Sequence, residues 1–428
     1  MHNFRSQAPP VNPIENLVFD KIEPVRLGKA LQCYRLPQRN LGVVKFDIFW
    51  PYGTLHQDAK YVARTSLGLA LSGTNKISAD QINEELEYLG TSIGYETHLN
   101  HSVFTLKSNK ENFLKAFQFL QESFAGVIYP QAEIDNYKQI EQAGLMRKMQ
   151  TPRYWSHRLC FEAMFGGNSP MASFANVEDI QSITALQLKQ YHANFLNFNN
   201  ASHFLSGDVD GQIWDAFMLA ITNNKTPQSP LLPKVSHENP KTLGEIDKKP
   251  MEHAHQVSLL MGKTIHPLGE REIHTFSLLN MLLGGFFGSR LMQEIREEKG
   301  LTYGIGSYIS QTNEGNSWCI SCEMNSQNTA AAMEGIRAIL EGLKTNPPAG
   351  DELERAKRYY CGQLRSSFDG PFALSSKIRN LLTRNYTYEH YSHAMDDIWK
   401  ITGDELCSLA DNYLNPESFH IAMAGDLK

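Results

Sequence analysis

The 428-residue sequence lacks the common phosphate and nucleophile motifs. It has no Walker-type loop, no Gly-x-Ser-x-Gly elbow, and no Gly-x-Gly-x-x-Gly leading from a strand into a helix. Nucleotide-dependent and hydrolase chemistries of those classes therefore have no support. No apolar stretch approaches the ~20 residues of a membrane span. Long blocks of like charge are missing too, and the net charge of −6 excludes a nucleic-acid footprint, which would be basic. Cysteine is sparse, at six residues (33, 160, 319, 322, 361 and 407). The one close pair, Cys319-Ile-Ser-Cys322, lies in WCISCEM, which reads as a strand, so the two thiols point to opposite faces. No second CxxC completes a tetrahedral site. All six read as reduced thiols. Residues 1–20 carry three prolines and five Asn, Gln or Arg, with no apolar core of a secretory signal. That places the chain in the cytoplasm, or in the periplasm had a signal been trimmed.

What is present is a long echo. Residues 183–197 (ITALQLKQYHANFLN) return 218 positions later as 401–415 (ITGDELCSLADNYLN). Ile183, Thr184, Leu188, Asn194, Leu196 and Asn197 match Ile401, Thr402, Leu406, Asn412, Leu414 and Asn415. At the same offset Gly207-Asp208 matches Gly425-Asp426. A repeat this long is two related domains in tandem rather than a solenoid.

Residues 223–250 hold five prolines and five lysines without apolar period, and read as an extended linker. The domains are then 1–222 and 251–428. Each half runs in the same order: a strand (43–50; 255–261), then a helix (about 59–72; about 271–283) ended by glycine. Gly90 and Gly94 of LEYLGTSIG align with Gly300 and Gly304 of REEKGLTYG. Long helices at about 130–150 and 351–367 and the echoed helices complete the halves. The grouping predicts an α+β fold of two homologous domains, each an antiparallel-rich sheet with helices on one face.

Tandem halves of this kind, closing on HFLSGDVD and HIAMAGD, resemble the pitrilysin/insulinase family of zinc metallopeptidases, and best its short branch with mitochondrial processing peptidase. The family's zinc helix reads Gly-x-Ala-His-x-x-Glu-His followed by Gly-Thr. Here the segment is YVARTSLGLALSGT (61–74), with Ala63 and Gly73-Thr74 in register. His-x-x-x-His sets two imidazoles one helical turn apart, and the Glu serves as base on zinc-bound water. Those three positions are Arg64, Leu67 and Gly68. A guanidinium cannot ligate, leucine moves no proton, and glycine has no side chain. The family's third ligand falls at Ala143-Gly144 of IEQAGLMRKM, with Glu141 nearby as a lone carboxylate. No metal is therefore expected in this chain.

The second half keeps LLGGFFGSRLMQEIREEKGLTYGIGS (282–307). It resembles the family's glycine-rich loop, in which an Arg and a Tyr meet the substrate carbonyl and backbone. Carried over, these are Arg290 and Tyr303. A fork of donors and a phenol suit a developing oxyanion. The plainer alternative pairs Arg290 with Glu294 and packs Tyr303 at the corner. Gly284, Gly285 and Gly288 permit a tight loop. Other histidines offer weaker metal candidates: His98 and His101 on opposite strand faces, His253 and His255 on one face, and His390 with His393 as exposed residues opening a helix.

The resemblance implies a non-catalytic subunit of a heterodimeric zinc metallopeptidase. It would take peptide or unfolded polypeptide as substrate, with zinc in a homologous partner bearing His-x-x-Glu-His. Peptidase activity is expected only with that partner, and a homodimer is an option in isolation. The alternative is a non-proteolytic binding or structural protein, like the core subunits of the respiratory cytochrome b–c complex.

Overall fold

The structure, a computed structural model, describes residues 21–27, 31–222, 241, 243–266 and 268–427. The first half builds a six-stranded sheet from β1 (Val25–Leu27), β2 (Leu31–Pro37), β3 (Val43–Trp50), β4 (Ser92–Thr97), β5 (Ser102–Asn109) and β6 (Ser202–Gly207), in the order β1-β2-β6-β3-β5-β4. The second half builds a five-stranded sheet from β7 (Ile246–Pro250), β8 (Val257–Ile265), β9 (Thr302–Thr312), β10 (Gly315–Met324) and β11 (His420–Gly425), in the order β7-β11-β8-β10-β9. One parallel pair appears in each, β2 with β6 and β7 with β11. All other pairings are antiparallel. Apart from β1, the two sheets share one topology.

The helices of the first half are α1 (Val62–Gly68), α2 (Ala79–Tyr88), α3 (Phe113–Ala125), α4 (Gln131–Met149), α5 (Pro152–Phe165), α6 (Val177–Gln181), α7 (Ala185–Phe195) and α8 (Gly211–Thr222). Those of the second are α9 (Glu270–Asn280), α10 (Thr329–Thr345), α11 (Gly350–Ser366), α12 (Gly370–Arg384), α13 (Glu389–Lys400) and α14 (Gly403–Tyr413). The echoed residues are the punctuation of α7 and α14. Thr184 and Thr402 cap them, each accepting from a backbone N–H three residues on, while Gln187 and Glu405 reach back to the cap. Asn197 and Asn415 accept from Asn199 N at 2.8 Å and Glu417 N at 3.1 Å. Gly207 and Gly425 sit at φ of +103° and +127°, and a Cβ on either would collide with the carbonyl of Val43 or Gln256.

Two helices change sides. On β3, Val44, Phe46, Ile48 and Trp50 face the first half's own helices, while Phe49 joins Tyr34, Phe204 and Ile378 on the other face. Ile378 belongs to α12, so the second half covers the back of the first sheet. Reciprocally, α5 covers the back of the second sheet through Cys160 and Met164, which pack on Leu260, Cys319 and Ala422. Gly262 of β8 makes room for it: a Cβ there would lie 2.8 Å from the Met164 sulfur. Polar groups lock both crossings. Ser156 and Ser258 hydroxyls are 2.9 Å apart. The fully buried Asp47 takes Lys45 at 2.8 Å, the Ser375 hydroxyl at 3.0 Å and Arg379 at 3.7 Å. A buried carboxylate needs such partners. The halves are therefore interlocked, and each sheet has one exchanged helix opposite its own helical layer.

The expected linker lies outside the described residues through 240 and at 242. Its end differs from expectation, because Ile246–Pro250 is the edge strand β7. An edge position tolerates a terminal proline and two lysines. Cys319 and Cys322 face opposite sides of β10, as the strand reading requires, and all six cysteines are free thiols.

Candidate functional site

The α1 helix carries Arg64, Leu67 and Gly68, the positions that the resemblance assigns to the zinc motif, and each makes another contact. Leu67 is buried in the core of the first half. Arg64 makes a two-pronged ion pair with Glu141 of α4, from Nε at 3.2 Å and from Nη2 at 3.3 Å. Gly68 lies under the Tyr137 ring, also from α4. A Cβ at position 68 would stand 2.6 Å from the Tyr137 hydroxyl and 2.9 Å from two ring carbons. Burial pushes the Tyr137 phenol up, and the nearby Tyr95 and Glu141 add to the shift. The α4 residues that meet α1 are thus Tyr137 and Glu141. Position 144, where the resemblance put the third ligand, has nothing nearer than the Arg147 guanidinium at 3.9 Å from a Cβ. One carboxylate already held by arginine does not fit zinc, which needs three or four deprotonated donors.

The retained segment of the second half is shaped by close approaches. Met281–Gly285 and Met292–Glu298 are π-helical turns on either side of the glycine loop. A Cβ on Gly284 would lie 2.5 Å from the Ser307 backbone nitrogen, so glycine lets this turn pack onto β9. Gly300 and Gly90 share left-handed φ values of +61° and +66°. Tyr303 follows on β9, an edge strand, and is 83% exposed. It borders an open hollow with Arg153, Gln256, Ile305, Tyr308 and Glu323. Arg153 enters from α5, so both halves line this hollow.

Arg290 is ion-paired, though not with the partner that helix spacing offers. Its Nε and Nη2 bind the Glu352 carboxylate at 2.7 and 3.0 Å, and Nη2 also reaches the Asn346 carbonyl at 3.4 Å. The partner is Glu352, in the first turn of α11, rather than Glu294 on its own turn. A carboxylate there also favours the helix N-terminus. Pairing across helices is invisible to spacing rules.

The histidine candidates are likewise redistributed. His98 and His101 lie in the hairpin between β4 and β5 with rings stacked at 4.4 Å, so no strand separates them. His253 and His255 precede β8 in a turn and do not share a strand face. His390 is buried, not exposed, and its Nδ1 is 3.2 Å from Glu270. It meets His274, a buried residue of α9 that was not among the sequence candidates. The spacing of four between Glu270 and His274 was the available signal.

Two family descriptions match the chain: "Insulinase (Peptidase family M16)" over residues 66–153 and "Peptidase M16 inactive domain" over residues 182–360. The chain belongs to peptidase family M16. Among its M16 relatives, the "non-peptidase homolog YmxG" of Helicobacter pylori is 26% identical over 386 residues, covering 84% of this chain and 86% of that protein. The "uncharacterized zinc protease YmxG" of Bacillus subtilis is 24% identical over 299 residues, 69% of this chain and 72% of the relative. In fold, the chain is similar to the crystal structure of a peptidase M16 inactive domain from Pseudomonas fluorescens. That match has a TM-score of 0.82 and 22% identity, and it spans 94% of this chain and 98% of the other. Among the described residues, no helix is long and apolar enough to cross a membrane.

Proposed function

We propose that this protein is a non-catalytic M16 subunit that lines a peptide chamber and works beside a homologous zinc-bearing chain. One observation carries the reading: the α1 site is closed by the Arg64–Glu141 ion pair and the Tyr137 ring, while β9 keeps a fully presented Tyr303. An edge strand has unpaired backbone groups on its outer side, and an extended peptide can add to such a strand. Tyr303 then offers its phenol to a peptide carbonyl, and the partner supplies zinc, ligands and base. Arg290 serves the same segment by holding it to α11 through Glu352. It reaches substrate only by giving up that carboxylate.

The engagement of Arg290 is also the observation that favours a second reading, a non-proteolytic peptide-binding or assembly protein of the same fold. Reconstitution separates the two. The chain alone should cleave no peptide. Mixed with a homologous chain bearing His-x-x-Glu-His, it should raise turnover, and Tyr303→Phe should remove that gain without preventing assembly. A complex whose turnover ignores Tyr303 supports the scaffold reading.

A further inference from the structure

The expectation of a metal-free chain rested on α1. A separate cluster in the second half meets the requirements that α1 fails. Glu270 and His274 stand one turn apart on α9, and His390 opens α13, which packs against it. The ligand atoms of the three residues all lie within 4.8 Å of one another. We propose that Glu270, His274 and His390 bind one divalent transition metal, zinc being the best match, as a clamp between α9 and α13.

The orientation of His274 is the strongest argument. Only 2% of this residue is exposed, and its Nδ1 is 2.8 Å from the Asp397 carboxylate. That contact fixes the Nδ1–H tautomer and leaves the Nε2 lone pair free. Nε2 is buried with no hydrogen-bond partner. An orphaned buried polar atom is destabilising, and a metal bond removes that cost. A carboxylate behind a ligating imidazole is the usual outer support of a metal-bound histidine. Asp397 is itself held by Arg271 at 3.4 Å.

The other two donors converge on the same point. His390 is 8% exposed, with its ring 5.1 Å from that of His274, centroid to centroid, and its Nδ1 3.2 Å from Glu270 Oε1. Tyr386 stacks on His390 at 4.1 Å and holds it in place. Two imidazoles and a carboxylate form a zinc donor set with one position open. The exposed His393 also lies 3.5 Å from the same Glu270 oxygen. Tetrahedral zinc with bonds of about 2.0–2.1 Å wants donors roughly 3.4 Å apart. Closing from 4.8 Å needs a rotamer adjustment of the half-exposed Glu270.

The test uses the full chain, stripped with a chelator and titrated with Zn²⁺ by calorimetry and with Co²⁺ by visible absorption. One equivalent should bind, with a tetrahedral cobalt spectrum and a rise in Tm on adding zinc. Glu270→Gln alters a half-exposed side chain and should fold normally by circular dichroism while losing affinity. His390→Gln should abolish the cobalt spectrum. Asp397→Asn should weaken binding about 10–100-fold. The proposal fails if the wild type binds no stoichiometric metal. It also fails if Glu270→Gln titrates like wild type, or if Glu141→Gln rather than Glu270→Gln removes the binding.

Discussion

The Tyr137 hydroxyl stands 2.6 Å from the point where a Cβ on Gly68 would project. Tyr137 of α4 thus fills the space that a side chain at position 68 of α1 would need. Gly68→His should therefore be destabilising by about 1–3 kcal/mol, the usual cost of overpacking. In a Tyr137→Ala background the same change should be much better tolerated. A double-mutant cycle from urea unfolding should give a coupling of roughly 0.5–3 kcal/mol. Simple additivity would show that Tyr137 is not the plug.

Arg290 and Tyr303 should part company in their effects on stability. Arg290 is mostly buried against Glu352, whereas Tyr303 is exposed. Arg290→Ala and Glu352→Ala should each lower Tm, and the pair should be less than additive, with a coupling up to about 1 kcal/mol. Tyr303→Phe should leave Tm where it was. Equal destabilisation by Tyr303→Phe would mean that its ring or hydroxyl holds the fold.

Acid sensitivity follows from one buried and one half-buried histidine. His203 is fully buried, with Nε2 2.8 Å from the Phe198 carbonyl, and His192 Nδ1 is 2.8 Å from the Tyr129 hydroxyl. Burial pushes both from 6.5 down to about 4. The unfolded chain takes up these protons near pH 6.5, while the folded chain excludes them until about 4. Their contribution is then complete above about pH 6.5 and is lost progressively between 6.5 and 4. Each adds a slope of up to about 1.4 kcal/mol per pH unit. Urea midpoints at pH 7, 6 and 5 should fall in that order, and His203→Leu should flatten the trend. A pH-independent midpoint over this range would contradict it.

The duplication was legible because its residues do backbone work that sequence cannot disguise: Thr184 and Thr402 as caps, Gly207 and Gly425 at positive φ. Donors are residue types too, so the sequence could be read as offering none at Arg64, Leu67 and Gly68. The exchange of α5 and α12 was not, because helical periodicity names an apolar face without saying which sheet it meets. His390 read as an exposed residue and His274 drew no notice, and only the packing of α13 on α9 joined them across 116 positions. Glu352 was hidden in the same way. Sequence rules see partners one turn apart, and Arg290 chose one 62 residues on.

The equivalence of the halves can be tested at the echoed glycines. Gly207→Ala and Gly425→Ala each force a Cβ against a carbonyl of the neighbouring chain segment, at a positive φ. Each should cost at least about 1–3 kcal/mol, the scale of a strained backbone. Because the halves are interlocked by α5 and α12, both variants should still unfold in a single transition, with Tm lowered by similar amounts. Two resolved transitions in calorimetry would mean that the exchanged helices do not couple the halves.

The functional proposal comes down to Tyr303. Its hydroxyl can donate one hydrogen bond to a peptide carbonyl, and Tyr303→Phe deletes that donor while keeping the ring. If the bond strengthens as the carbonyl becomes an oxyanion, its loss costs about 2.7–4 kcal/mol, or roughly 10²–10³ in turnover. A bond made equally to ground state and transition state would instead raise KM and leave kcat alone. Turnover of the reconstituted pair, with assembly followed by size-exclusion chromatography, distinguishes these outcomes. Loss in kcat places Tyr303 at the reacting carbonyl, and loss in KM places it along the bound peptide. No change in either, in an assembled complex, would remove Tyr303 from the site and leave this chain as its scaffold.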